Sequence, residues 1–237
     1  MRVRPAPILA LLTVLVLLAG CLPTTPGQES PPPDRAADPT TRITGSVDPD
    51  GTDTPEEFEQ DMKASQLIAE QYWQRRLGGS FQAIRQILPY ERDGELDCAG
   101  QPLPRNNAVY CSAGDFIAYD VNWAFAAFQQ IGDAFVYYLL GHEYAHGVQA
   151  RLGIRKQFTI EQELQADCMA GAFIGDMARQ GTLTMQDDDT QELADGLAAV
   201  GDDPGQPWFA PGSHGTPQQR FQSFADGYER SLTACGL

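Results

Sequence analysis

Apolar residues recur at helical spacing along most of the chain beyond residue 54. The run Thr54-Pro55-Glu56-Glu57 places a capping hydroxyl, a proline and two acids in the order that favours a helix start. We predict that this helix ends by Gly78-Gly79, and its apolar face is formed by Phe58, Met62, Leu67, Ile68 and Tyr72. A shorter helix is predicted to begin at Ser80, with apolar positions Phe81, Ile84, Ile87 and Leu88.

The pattern changes over residues 91–121, where Gly, Pro and Asn interrupt short apolar runs. The runs 108–111 and 116–119 are typical of short strands joined by turns. Helical spacing then returns in about Asp120–Gln130 and in Gly132–Leu152, which is apolar nearly all the way round and ends at a glycine. The sequence therefore predicts an α+β, mainly α domain over residues 55–237, with a small sheet or hairpin region.

Cap motifs predict three further helices. Thr159-Ile-Glu-Gln162 and Thr216-Pro-Gln-Gln219 have the form of capping boxes, and Thr184-Met-Gln-Asp187 is predicted to cap a helix that reaches about residue 199. The segment 201–213 reads as a loop. Gly171 and Gly175 lie four apart in the first of these helices, and we expect them to allow close packing on the helix 132–152.

The first twenty residues have the pattern of an export signal: Arg2 and Arg4 precede a twelve-residue apolar run that is too short to span a bilayer. The run ends in Leu-Ala-Gly-Cys21, which resembles the bacterial lipobox. We therefore expect lipidation of Cys21 and anchoring to the outer face of the bacterial membrane. An ordinary secretory signal followed by a coincidental cysteine is the alternative.

Residues 21–54 are rich in Pro, Thr, Asp and Gly and hold few large apolar residues. Such a segment cannot bury enough surface to offset chain entropy, so we predict a disordered tether. The formal net charge of −16 argues against a nucleic-acid partner and against a strong electrostatic hold on anionic lipids. The sequence does not indicate an oligomeric state.

The run His142-Glu143-Tyr-Ala-His146 lies within the helix predicted to be buried and holds two of the chain's three histidines. Residues four apart lie on the same helix face, so both imidazoles can reach one ion. Glu143 can act as a general base beside that ion. This is the H-E-x-x-H pattern of zinc hydrolases. The alternative is a chance pentapeptide whose histidines are satisfied in the core.

A catalytic zinc ion takes three protein ligands and keeps one open position. We predict Glu163, seventeen positions beyond His146, as the third ligand. Asp167 lies four residues later on the same face and is predicted to hydrogen-bond the far nitrogen of a ligand histidine. Glu161 is the competing ligand, but it lies about 200° around the helix from Glu163.

These spacings together resemble the glutamate-ligand zincins, the thermolysin-like arrangement. Three longer runs, which begin at His142, at Glu163 and at His214, resemble the bacterial putative neutral zinc metallopeptidase family from about Glu56 to the C-terminus. The resemblance implies a zincin-like fold, one zinc ion and hydrolysis of a peptide or protein substrate, but it does not specify that substrate.

In the last of these runs, His-Gly-Thr-Pro-Gln-Gln-Arg, either His214 or Arg220 could donate to the oxyanion of a tetrahedral intermediate. We carry His214 as a candidate catalytic residue. The alternative is a solvated loop histidine. Two other functions remain open: a zinc-stabilised binding module without turnover, and a hydrolase of a non-peptide amide of the cell wall.

Four of the five cysteines follow Cys21, and in an exported chain they favour disulfides over thiolate ligands. Three pairings are possible. Cys98 and Cys111 flank one apparent hairpin and are the natural pair, which leaves Cys168 with Cys235. The alternative, zinc-binding thiolates, lacks any Cys-x-x-Cys spacing.

Overall fold

The computed structural model describes Arg2–Val3 and residues 51–237. Apart from Arg2–Val3, the predicted export signal, Cys21 and the tether up to residue 50 lie outside the described residues. Six helices are described: α1 Pro55–Leu77, α2 Val121–Ile131, α3 Ala134–Leu152, α4 Thr159–Arg179, α5 Asp189–Ala199 and α6 Pro217–Arg230. Two 3₁₀ segments, Gly78–Ser80 and Ser231–Cys235, follow α1 and α6.

The strands are short and form three small sheets. They are β1 Arg2–Val3, β2 Gln86–Tyr90, β3 Asp97–Cys98, β4 Gln101–Pro102, β5 Ala108–Cys111, β6 Phe116–Asp120 and β7 Leu183–Thr184. In the main sheet, of order β2-β6-β5, β2 runs parallel and β5 antiparallel to β6. The prediction of a mainly helical α+β fold is confirmed. Among the described residues, no helix is both long and apolar enough to cross a membrane.

The helix predicted from Ser80 is wrong, because much of this segment forms β2. Ile87 is paired with Ile117 of β6, so its apolar side chain serves the sheet. A short apolar run fits either a helix or a strand. Pro89 distinguishes the two, since it would interrupt a helix but is tolerated on an edge strand.

Two of the predicted helix caps need correction. Helix α4 begins after Phe158, whose backbone N–H donates to the Glu161 carboxylate at 3.3 Å. The predicted capping box is therefore incomplete, because Phe158, and not Thr159, is the cap residue and its side chain cannot accept a hydrogen bond. Thr184 belongs to β7, and α5 begins only at Asp189. The capping hydroxyl predicted for α1, at Thr54, and the capping box predicted for α6, at Thr216, are confirmed.

Helix α3 forms the centre of the core. Its residues 134–145 and 147–149 are buried, and α1, α4 and α5 pack around it. Gly141 allows a close approach of α4, because a Cβ there would lie 3.0 Å from Phe173 Cδ1. Packing on several sides holds α3 in place.

The glycines of α4 pack against α6 and not against α3 as predicted. A Cβ at Gly171 would lie 2.0 Å from the backbone oxygen of Phe224, and one at Gly175 would lie 2.3 Å from that of Tyr228. The spacing of these two glycines indicates that the backbone of a neighbouring helix approaches α4 closely, but it does not indicate which helix.

Both expected disulfides are present. Cys98 joins Cys111 with an S–S distance of 2.01 Å, and Cys168 joins Cys235 at 2.11 Å. The first ties β3 to β5, and the second ties α4 to the segment that follows α6. The second bridge therefore holds the C-terminal segment against α4.

Candidate metal centre

His142 and His146 lie one helical turn apart on α3, and their Nε2 atoms are 3.1 Å apart. The two rings are nearly perpendicular, with an interplanar angle of 88°. Continuous helix through the motif produces this convergence, since side chains four residues apart lie on one face. The two Nε2 atoms are therefore close enough to bind one ion.

Glu163 of α4 completes a cluster of three donors. Its Oε2 lies 3.2 Å from His142 Nε2, and its Oε1 lies 3.3 Å from His146 Nε2. Glu161, the competing ligand, is exposed and accepts the backbone hydrogen bond of Phe158 at the start of α4. The structure thus brings Glu163, and not Glu161, together with the two histidines.

The donor separations match those expected around zinc. Tetrahedral zinc with ligand bonds of about 2.0–2.1 Å has ligand atoms about 3.3–3.4 Å apart. The two Nε2 atoms are 3.1 Å apart, and each lies 3.2 or 3.3 Å from one oxygen of Glu163, Oε2 for His142 and Oε1 for His146. Two imidazole nitrogens and one carboxylate oxygen are also a donor set that zinc accepts. The residues present therefore fit a catalytic zinc ion.

The outer nitrogens of both histidines have fixed partners. His142 Nδ1 lies 2.8 Å from Asp167 Oδ1, and His146 Nδ1 lies 2.8 Å from Gln149 Oε1. Each oxygen accepts an Nδ1–H, so the lone pair of each Nε2 faces the cluster. Gln149 also donates to the backbone oxygen of Gln162 at 2.9 Å, which ties α3 to α4 at the site.

Asp167 is held by a buried network. Arg220 donates to both of its carboxylate oxygens at 2.9 Å, and Tyr138 donates to Oδ1 at 2.9 Å. Arg220 also donates to the Tyr138 hydroxyl at 2.8 Å and to the backbone oxygen of Val200 at 2.7 Å. These four hydrogen bonds fix the Arg220 side chain, which in turn positions Asp167. They disfavour the alternative role of Arg220 as a donor to the oxyanion of the substrate.

The charges around the cluster favour a cation. Burial lowers the pKa of His142. The negative charge of Asp167 and the hydrogen bonds with Asp167 and Glu163 outweigh this effect and raise the pKa to about 10. Burial raises the pKa of the Glu163 carboxyl, whereas hydrogen bonds from His142 and His146 hold it well below its usual range. The same negative charges also attract a divalent cation to this point.

The cluster opens into a cleft of about 1320 Å³, and Glu143 and His214 line the same cleft. The His214 side chain is 50% exposed, with Nδ1 3.5 Å from Asp202 Oδ1. Its loop is pinned by the Asp202 carboxylate, which accepts the backbone N–H groups of His214 at 2.6 Å and Gly215 at 2.9 Å. His214 is thus a loop residue, as predicted, and it borders the cleft.

Sequence reasoning missed Tyr138 and Gln149. Tyr138 lies four residues before His142, and Gln149 lies three residues after His146. Both therefore share the histidine face of α3, and the helical spacing that paired the histidines could have found them.

Zinc binding distinguishes the two candidate glutamates. We expect Glu163→Gln to weaken zinc affinity more than about tenfold, since even partners of ligands contribute that much. Glu161→Gln should leave the affinity unchanged, because its carboxylate bonds the backbone of Phe158. Competition titration with a chromogenic chelator measures both, and equal losses would contradict the assignment.

Comparison with known proteins agrees with this geometry. The family described as putative neutral zinc metallopeptidase matches residues 50–235. Over 179 residues the chain is 28% identical to Uncharacterized protein YpfJ of Escherichia coli strain K12 and to its counterpart in strain O6:H1, covering 65% of this chain and 61% of each relative. The chain thus spans about three fifths of the length of these curated relatives. No solved structure matches the chain. By the extent of the family match, this chain belongs to the putative neutral zinc metallopeptidases.

Proposed function

We propose that the chain is a zinc-dependent peptidase that hydrolyses peptide bonds at the bacterial cell envelope. The observation that carries the proposal is the position of Glu143, one residue from His142 and lining the cleft into which the three donors open. A purely structural zinc site is closed and has no use for a base at an open position. His142, His146 and Glu163 would hold one ion.

A zinc ion bound there would polarise a substrate carbonyl and make water nucleophilic near neutral pH. Glu143 takes the proton from the attacking water and then delivers it to the leaving nitrogen. His214, at the border of the cleft, donates to the oxyanion that develops on the carbonyl. Asp167 and Gln149 hold the two imidazoles in one tautomer throughout.

The main sheet offers a place for an extended substrate. Strand β5 is an edge of the sheet, and Ala108, Val109 and Tyr110 line the cleft. An exposed strand edge can bind an extended peptide through backbone hydrogen bonds, whatever the side chains of the peptide are. A strand edge therefore suits a peptide or protein substrate better than a non-peptide amide of the cell wall.

The location at the envelope rests on the N-terminal sequence. Lipidation of Cys21 would hold the domain at the outer face of the membrane. The two disulfides fit an oxidising compartment.

Incubation of the full chain with a peptide library tests the activity. We expect cleavage at internal peptide bonds, its loss in the presence of a chelator, and its return when Zn²⁺ is added in excess of the chelator. Mass spectrometry of the products measures all three states. Zinc retention without cleavage would favour a binding module, and cleavage confined to wall fragments would favour the amide hydrolase.

A further inference from the structure

Three aromatic side chains cluster at the rim of the cleft: Phe158, Trp208 and Phe209. The rings of Phe158 and Trp208 have centroids 5.0 Å apart, and those of Trp208 and Phe209 are 5.6 Å apart, both edge to face. Phe158 lines the cleft together with Glu143 and Glu163. Trp208 and Phe209 are nonetheless 54% and 60% exposed. The rim aromatic cluster therefore extends the wall of the cleft with apolar surface.

The rim aromatic cluster is held in place from both sides. Phe158 immediately precedes α4, and the next residue, Thr159, accepts a hydrogen bond from the backbone N–H of Gly212 at 3.4 Å. The base of the loop that carries Trp208 is closed by a backbone bond from Asp202 to Gly215 at 2.8 Å. A surface fixed before binding loses little conformational freedom when a ligand reaches it.

The rim aromatic cluster lies within reach of a peptide bound at the metal centre. Phe158, the residue before α4, and Glu163 in its second turn are five residues apart, which is about 7.5 Å along the helix axis. An extended peptide covers that distance in about two residues, at about 3.3 Å each.

We propose, building on the peptidase function, that Phe158, Trp208 and Phe209 bind an aromatic or large aliphatic side chain of an extended substrate. That side chain belongs to a residue two or three positions from the scissile bond. The continuity of the cluster with the cleft through Phe158 favours this occupant over a lipid surface. The formal charge of −16 also opposes approach to anionic lipid.

Matched peptides test the proposal in the full chain. Quenched fluorogenic peptides are compared in pairs that differ at one position, which holds either Phe or Ala. One pair is made for each of four positions: the second and the third residue on either side of the cleavage site. At one position the Phe peptide should show kcat/KM about tenfold higher, the size expected for burying part of a phenyl ring. Trp208→Ala should abolish most of this preference, because kcat/KM for the Phe peptide should fall toward that for the Ala peptide. Leu67→Ala, which removes a 57% exposed side chain from α1, should retain the preference.

A binding assay separates this proposal from the peptidase function. In the Glu143→Gln chain, fluorescence anisotropy of labelled peptides should show the same Phe preference, again lost when Trp208→Ala is added. Binding preference without any cleavage by the unaltered chain would support the aromatic site while contradicting the peptidase. Absence of any Phe preference in both assays overturns the proposal. The proposal is also overturned if the Trp208→Ala variant keeps the peptide preference and instead loses binding to phosphatidylglycerol vesicles or self-association.

Discussion

Replacing Glu143 by glutamine should lower kcat/KM for peptide cleavage by about 10²- to 10⁴-fold, the contribution of a positioned general base. The amide has nearly the shape of the carboxylate, so it fills the same place beside the cleft, but it cannot accept the proton of the attacking water. Zinc content and melting temperature should stay at the values of the unaltered chain, since Glu143 is not one of the three converging donors. Initial rates at several substrate concentrations measure the loss.

The control for this prediction is Glu229→Gln, which removes the same charge from an exposed position on α6. It should leave kcat/KM unchanged and so exclude a general effect of net charge. A Glu143→Gln chain that retains zinc and cleaves peptides at the original rate would refute the assignment of the base.

Arg220→Ala should lower the free energy of unfolding by about 3–5 kcal/mol, the cost of breaking a buried ion pair and leaving one charge behind. Asp167 is fully buried, and Arg220 supplies two of its hydrogen bonds at 2.9 Å. Asp167 in turn orients His142, so zinc affinity should fall by about 10- to 100-fold. Chemical denaturation and zinc titration measure the two effects.

Three further variants make this prediction specific. Arg230→Ala breaks an exposed pair with Asp226 on the same helix and should cost less than about 1 kcal/mol. Arg220→Lys keeps the charge but not the paired hydrogen bonds, so it should fall between the unaltered chain and Arg220→Ala. Adding Asp167→Asn to Arg220→Ala should recover part of the lost stability by removing the orphaned charge.

The same variants decide between two roles for Arg220. A residue that donates to the oxyanion would lower kcat on replacement and leave stability and zinc affinity unchanged. The buried contacts with Asp167, Tyr138 and Val200 predict the opposite pattern. If Arg220→Ala lowered kcat alone, the positioning role would be wrong and Arg220 would join His214 as a candidate oxyanion donor.

The amino-acid sequence determines what depends on spacing within one helix. Residues four apart share a face, so the sequence places His142 and His146 together and separates Glu163 from Glu161. Capping chemistry is equally local, and it gives the starts of α1 and α6. The cap at Thr184 fails because Thr184 pairs with Arg2 in a two-stranded sheet, and α5 begins only at Asp189.

The tertiary structure decides which surfaces meet. Gly171 and Gly175 allow a close neighbour, but only packing selects α6 for that place. Pairing with β6 turns an apolar run into β2, and the fold directs Arg220 at Asp167 behind the zinc-binding face. Periodicity fixes the face on which a side chain lies, whereas its partner across the core depends on contacts between segments far apart in the chain. The sequence alone therefore defines the candidate metal ligands, and only the assembled core shows what holds them in position.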